Sequence, residues 1–338
     1  MIPRLDIRFP LRRQWQYWCG EEYVAQDGEY LLNHARSGIV IALRASLPYG
    51  GRVGVVAYNC HTVANAVVNA GCTPDFIDVT EDLHIDIASI PSDLDAIVVT
   101  NLFGIRNDIA AIRKRCPKAI IIVDNAHGYG LPTEGDFTVY SINQGKFPAL
   151  GEGGLLIINQ QSAIINLKSQ IDPMYESLPT YSLLGQLKLF CSMLLKAFAY
   201  SRCMYWLTMK MKKSSNPNVH QEVVMRQMAP GIRRLYQAWL PNAESEIAEQ
   251  KYNAEKILNL QSKITNSQCI IGSNAFMAII RTNDVSTAKA DFAKRGIETA
   301  THFSRAIDWA TEFGYKQGSC PLAEKFTHEL LMIPTYKR

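Results

Sequence analysis

This 338-residue sequence predicts an α/β fold: a mostly parallel sheet covered on both faces, followed by a smaller α/β unit. Three observations carry that expectation. Between Gly38 and Ile158, short and continuously apolar runs alternate with segments of helical spacing, which is how strands buried on both faces read. From about Ile164 the texture changes to a long, very apolar helical stretch. From about Trp239 a second, shorter alternation of helix and strand begins. The chain is long enough for one large core and a smaller one, and the expected division is 1–238 with an insertion at about 165–230, then 239–338.

Taken in order, "RVGVVAY" is a valine-rich strand and "TVANAVVNAG" a helix stopped by Gly71. "TPDFIDV", "DAIVVTN" and "AIIIVDNA" are strands, with "IRNDIAAIRKRC" a helix between the last two, and "FTVYS" is a further strand. Beyond the break at "SSNPN", "AESEIAEQKYNAEKILNLQSKI" reads as a long amphipathic helix. "AFMAIIR" reads as a strand, "VSTAKADFAKRG" as a helix ended by Gly296, and "IETATHF" as another strand. In parallel sheets ligands bind beyond the carboxyl ends of the strands. Asn59, Asn101, Asp124 and Ser141 stand there and are expected to converge on one cleft.

Composition narrows the class. The apolar fraction of 47% and charged fraction of 20% are ordinary for a globular protein. A net charge of +4, from 35 basic and 31 acidic residues, is too small to argue for nucleic acid. The charge is uneven, however: between Ser177 and Gln221 there is no acidic residue, but Lys188, Lys196, Arg202, Lys210, Lys212 and Lys213 are all present. The N-terminal "MIPRLDIRFPLRRQW" reads as neither signal peptide nor membrane anchor. Eight scattered cysteines without a C-x-x-C pair suit reduced thiols in a cytoplasm rather than a disulfide framework or a zinc site.

The segment "YSINQGKFPALGEGG" places Lys146 between a strand and a glycine-rich run. A buried lysine of lowered basicity can form a Schiff base with a carbonyl. If that carbonyl belongs to pyridoxal phosphate, the ring nitrogen needs a carboxylate to stay protonated, and Asp124 at the end of "IIIVD" is placed for it. Phosphate needs backbone N–H groups and hydroxyls at a helix N-terminus. Arg36 and Ser37 in "NHARSGIVIAL" offer these on one side and Ser141 on the other. Each feature alone has an ordinary structural reading: a surface lysine, a capping aspartate, a hydrogen-bonded core histidine at His127.

Several segments together resemble the sugar-nucleotide aminotransferases of the DegT/StrS type, pyridoxal-phosphate enzymes of the aspartate-aminotransferase fold (fold type I). Ser141, Lys146 and "GEGG" are similar to that family's serine, Schiff-base lysine and G-[ED]-G-G. "VDNAH" is similar to its E-D-A-A-[QH], which implies Asp124 under the ring nitrogen and His127 against the ring face. "NLFG", "KRGIETATHF" and "GYKQGSCPLAEKFTHELLMIP" continue the resemblance in order, from about Leu32 to Pro334 apart from the insertion. Cys60 stands where the family usually stacks an aromatic on the cofactor, with His61 beside it as a substitute. "APGIRRLY" keeps only Arg233 of the segment that reaches the partner subunit. The family's branch that dehydrates sugars has histidine in place of the lysine, and Lys146 argues against that branch.

The resemblance implies pyridoxal 5′-phosphate as cofactor, glutamate as amino donor and a keto-sugar nucleotide as acceptor, for envelope or secreted glycans. It also implies a homodimer, with Arg233 and His302 toward the substrate. Two other readings stay open at this level: a catalytically degenerate or regulatory relative, and a membrane-surface interaction protein. The segment Tyr181 to Lys213 bears on the second. On a helical projection Lys188, Ser192, Lys196, Arg202 and Lys210 form one side and Leu184, Leu187, Phe190, Met193, Leu194, Leu195, Phe198 and Tyr205 the rest. A basic stripe beside a wide apolar face suits peripheral contact with the inner membrane; a helix packed over the cleft or the dimer partner fits as well.

Overall fold

The computed structural model describes residues 9–159, 166–199, 204, 218–261 and 268–335. Its larger sheet has seven strands: β1 (Glu29–Leu32), β2 (Arg52–Val56), β3 (Thr73–Ile77), β4 (Ala96–Thr100), β5 (Ile120–Asn125), β6 (Phe137–Ser141) and β7 (Gly154–Ile158). They lie in the order β1-β7-β6-β5-β4-β2-β3. The five strands from β6 to β3 run parallel, and β7 runs against both β6 and β1.

Alternate residues of the central strands feed two apolar layers. Val53, Val55, Ala96, Val98 and Ile122 pack toward α2 (Ala35–Ser46), α3 (His61–Asn69) and α5 (Leu167–Glu176). Ile97, Val99, Ile121 and Val123 face the opposite layer, with Tyr17 of α1 (Leu11–Cys19) and Ile232 and Leu235 of the helix Pro230–Trp239. Burial on both faces is why these strands read as unbroken apolar runs, each fully buried valine or isoleucine contributing about 1.5–3 kcal/mol. Local signals set the helix ends. Gly71 takes φ +85° just past α3, a conformation that favours glycine. Asp108 accepts the Ala111 N–H at the start of α4 (Ile109–Arg115), satisfying a donor the helix cannot.

The insertion supplies α6 (Leu183–Ala199); the remainder of the stretch to Lys213, with Arg202, Tyr205 and Lys210, lies outside the described residues. After α7 (Pro230–Trp239) and α8 (Ala243–Gln261) comes a three-stranded antiparallel sheet of β8 (Gln268–Ile271), β9 (Met277–Arg281) and β10 (Leu330–Pro334), in the order β10-β9-β8. It carries α9 (Val285–Lys294), α10 (Ala306–Thr311) and α11 (Pro321–Glu329).

Strand β9 contributes to two cores. Met277 and Ile279 enter the larger core, whereas Ala278 and Ile280 pack with Phe292, Leu331 and Ile333. Asp78, just beyond β3, accepts the N–H groups of Leu322 and Ala323 and so caps α11 across the junction.

The strand expected at "IETATHF" does not form. Only Ala300 pairs, with Met332, because the chain leaves the sheet at once: His302 to Arg305 form a turn, with Phe303 at φ +56°. The β1 strand, which periodicity did not single out, completes the edge beside β7.

Candidate active site

A cavity of about 200 Å³ opens beyond the carboxyl ends of β2, β4, β5 and β6. Its lining includes Arg36, Asn59, Cys60, Thr100, Asp124, His127, Ser141 and Lys146. Parallel strands bring these together because each side chain sits at or just past a strand end, and the strands stand side by side.

Asp124 is the penultimate residue of β5 and is only 3% exposed. Its Oδ1 accepts the Ala126 N–H at 2.9 Å and its Oδ2 the Thr100 hydroxyl at 3.3 Å. Thr100 in turn accepts from Asn59 Nδ2 at 2.8 Å, so three neighbouring strands share one polar chain. Burial pushes the Asp124 carboxyl above its ordinary value, against those hydrogen bonds and Lys146. Lys146 Nζ lies 2.7 Å from His127 Nε2. Burial lowers the lysine's basicity, against the pull of Cys60 and Asp124. A buried amine of reduced basicity is a nucleophile in waiting.

The glycine run fits α2 against β7. His34 pairs with Gly153, whose N–H donates to Asn143 Oδ1 at 2.8 Å. That bond fixes the Asn143 amide, so its Nδ2 donates to His34 Nδ1 at 3.1 Å. Burial then holds His34 down to about 4, with Arg36 adding to the effect. Ala35 and Arg36 begin α2 at the cavity wall, where first-turn N–H groups have no partner within the helix. Met193 of α6 comes close over Gly151, and Tyr181 donates to Glu152, so the insertion rests on the same loop.

The other expected residues divide. Cys60 lines the cavity and accepts from the Thr62 hydroxyl at 3.1 Å. Burial pushes its thiol up, but His61, Lys146 and Thr62 outweigh that and bring it down to about 7. Ser37 does not offer its hydroxyl to the cavity: it is fully buried and donates to Asn33 Oδ1 at 2.9 Å, one helical step away from the exposed N-terminus. His61 turns out of the cavity and packs edge-on against Trp309, with ring centroids 5.0 Å apart. Asn101 is also turned away, donating to Asn125 Oδ1 and accepting from Asn107.

Arg233 sits on α7 within 3.4 Å of the Tyr175 hydroxyl, outside the cavity lining. His302 lies behind the wall, near the Phe103 ring, while its neighbour Phe303 reaches the cavity. Sequence reasoning passed over Thr100, Asn143, Gln144 and Phe303 as lining residues. Thr100 ends β4 by the same logic that marked Asp124, so the strand-end position was the available signal.

These residues fit pyridoxal phosphate. A buried carboxyl, a buried amine and a helix N-terminus with an arginine and a serine hydroxyl meet in one cavity, matching a ring nitrogen, an aldehyde and a phosphate. The fold is that of pyridoxal-phosphate-dependent aminotransferases. Residues 22–169, which supply every strand of the larger sheet, match the sequence profile of the DegT/DnrJ/EryC1/StrS aminotransferase family. No curated protein matches the chain by sequence.

Solved structures match over nearly its full length. The sugar aminotransferase CalS13 from Micromonospora echinospora superposes with TM-score 0.71 at 15% identity, over 99% of this chain and 95% of CalS13. The candidate sugar aminotransferase Spr1654 from Streptococcus pneumoniae, in its PLP form, gives 0.67 at 16% identity, over 100% and 87%. GDP-4-keto-6-deoxymannose-3-dehydratase with bound GDP-perosamine gives 0.65 at 15% identity, over 91% and 84%.

Proposed function

We propose that this chain is a pyridoxal-phosphate-dependent aminotransferase that moves an amino group from glutamate to a keto-sugar nucleotide, for envelope or secreted glycans. The observation that carries the reading is the meeting of Lys146 and Asp124 in one buried cavity. The family profile over 22–169 supports the class of reaction, and a catalytically silent relative would have no use for so costly a buried lysine. The large unit, 1–238, would hold the cofactor and 239–338 would close over it.

When bound, the cofactor supplies a carbonyl for the lysine and a ring that takes up electron density. Asp124 keeps the proton on the ring nitrogen. Arg36, the first-turn N–H groups of α2 and the Ser141 hydroxyl would hold the phosphate, and His127 and Cys60 would border the ring. Lys146 would be the amine that takes a proton from the donor's α-carbon and returns one toward the acceptor, work contributing about 10²–10⁴-fold in rate. Arg233 and His302 would act on substrate only through a partner subunit or a shift of the wall, since neither lines the cavity.

A homodimer is part of the proposal. Arg233 Nε is buried without a hydrogen-bond partner among the described residues, the condition of a group awaiting one from outside. Peripheral membrane contact through α6 is the other part, supported by its exposed leucines beside Lys188 and Lys196. No described helix is long and apolar enough to cross a membrane.

The test is a panel of keto-sugar nucleotides assayed with glutamate, using wild type and Lys146→Ala. Wild type should transfer nitrogen to at least one member, and borohydride should fix the cofactor to Lys146. The alanine protein should do neither while remaining folded. A Lys146→Ala protein that turns over at the wild-type rate would reject the assignment.

A further inference from the structure

Two hydrogen bonds decide how His127 holds its proton. The Phe103 backbone N–H donates to His127 Nδ1 at 3.2 Å, so Nδ1 presents a lone pair and the neutral ring carries its hydrogen on Nε2. Nε2 is the atom 2.7 Å from Lys146 Nζ. That contact is then a donation from Nε2–H, and its acceptor must be an amine, because an ammonium has no lone pair. An imidazolium is excluded at the other end, where a hydrogen on Nδ1 would meet the Phe103 N–H.

We propose that His127, fixed as the Nε2–H tautomer by the Phe103 backbone, is a positioning residue that donates to Lys146 and holds its amine neutral and aimed before the cofactor arrives. The proposal rests on the reading of Lys146 as the cofactor-bearing residue.

The lock is built into the fold. Phe103 occupies the left-handed region at φ +54°, uncommon for a bulky residue, and this turns its N–H toward the ring. The turn is tied on both sides: Gly104 N–H donates to Asn101 O, and Gly104 O accepts from Ser273. Asn274 Nδ2 donates to His127 O at 2.9 Å. The imidazole lies nearly parallel to the rings of Phe103, Phe276 and Phe303, with centroids 5.4, 5.1 and 5.9 Å away. Burial among these phenyl rings disfavours an imidazolium.

The charged and titratable neighbours pull the pair in both directions. Asp124 from β5 and Cys60 ahead of α3 favour an ammonium at Lys146, while burial opposes it. Burial, Lys146 and His302 all disfavour charge on His127. A donor aimed at the amine tips the lysine toward its neutral form against its two acidic neighbours.

The experiment uses the full-length, cofactor-free chain. With ¹⁵N-labelled histidines, the ring signals assigned by their loss in His127→Phe should show hydrogen on Nε2 and none on Nδ1. Hydrogen on Nδ1 overturns the proposal, and this reading needs only the wild-type protein.

Trace acetylation by acetic anhydride, followed by peptide mass spectrometry, reads the Lys146 amine across pH without any cofactor. His127→Phe keeps an apolar ring but loses the donor. Its Lys146 should be acetylated about tenfold more slowly than wild type near neutral pH and recover toward about pH 10, one pKa unit being tenfold. His127→Gln, which retains an N–H, should restore most of the rate. Superimposable wild-type and His127→Phe profiles, or a glutamine protein as slow as the phenylalanine one, would overturn the donor role. A structural effect on cofactor stacking would leave these profiles unmoved. If the acetylation result holds but borohydride fixes no pyridoxal phosphate on Lys146, the proposed function fails and the His127 inference stands.

Discussion

A Cβ built on Gly154 would stand 2.2 Å from the backbone nitrogen of Ala35. No side chain can occupy that space, since the obstacle is backbone and not the flexible end of another residue. The close approach sets the first turn of α2 against the start of β7 and so shapes the cavity wall that holds Arg36 and Ser141. Gly154→Ala should therefore separate the two elements. Overpacking of this kind costs about 1–3 kcal/mol, read as a lower urea midpoint, and it should weaken cofactor binding measured by borohydride fixation. An unchanged midpoint with unchanged fixation would show that the wall yields freely.

Asp124 links stability to function with opposite signs. Burial raises its carboxyl above the ordinary value of 3.8, so the folded chain retains a proton that the unfolded chain has released. Stability then falls as pH rises through the window between those two values and stays reduced above it. Asp124→Asn removes the buried acid, so the cofactor-free mutant should be more stable than wild type at neutral pH. The advantage should shrink as pH falls toward about 4, where the unfolded carboxyl is also protonated. Transamination should drop by about 10²-fold or more, the scale of losing one preorganised electrostatic partner. Undiminished turnover would reject the ring-nitrogen role, and a stability difference independent of pH would reject the buried acid.

The strands were legible because each parallel strand is buried on both faces and reads as a continuous apolar run, and Lys146 and Asp124 were legible because strand ends point at the cleft. Side-chain direction was not. Ser37 and Arg36 are adjacent in sequence, yet one helical step sends the serine to Asn33 and leaves the arginine at the wall. His61 and Cys60 part in the same way at the start of α3, where Trp309, from far along the chain, takes the histidine ring. The "IETATHF" strand failed because one paired residue, Ala300, cannot be told from a ladder by composition. The Asn59–Thr100–Asp124 chain depends on the register of three strands, which no single run encodes.

Arg233 tests the partner subunit. Among the described residues its guanidinium meets Tyr175, while Nε is buried and has no partner there, and leaving such a donor unmade costs about 1–3 kcal/mol. Removing it should thus cost little stability in the isolated chain. If a partner completes the site here, Arg233→Ala should lower kcat/KM about tenfold or more, on the scale of one charge-assisted hydrogen bond, with the urea midpoint nearly unchanged. Sedimentation velocity should show a dimer for wild type. A fully active monomer would dispose of the shared site.

The helix α6 divides its apolar surface in two. Phe190 and Met193 pack inward against the core, and Met193 reaches the Gly151 loop. Leu183, Leu184, Leu187, Leu195 and Phe198 remain exposed, Leu183 at 73% and Leu195 at 69%. At 100° per residue these five fall within an arc of roughly 120°, with Lys188 at its edge. The apolar face anticipated from sequence is thus half committed to the protein and half open. An exposed apolar arc with a lysine along one edge suits the headgroup boundary of an anionic bilayer, where leucines insert and the lysine meets phosphate. Cosedimentation with anionic and neutral vesicles at low and high salt separates the contributions. The wild-type chain should pellet with anionic vesicles at low salt and release as salt screens the lysine. Leu184→Glu combined with Leu187→Glu, which places acids at the centre of the open arc and leaves the inward face intact, should abolish binding without lowering activity on soluble substrate. Retention of the intact protein in the supernatant with anionic vesicles at low salt would assign the open face to protein contact, and a shift from dimer to monomer in the same double variant would identify the second subunit as what covers it.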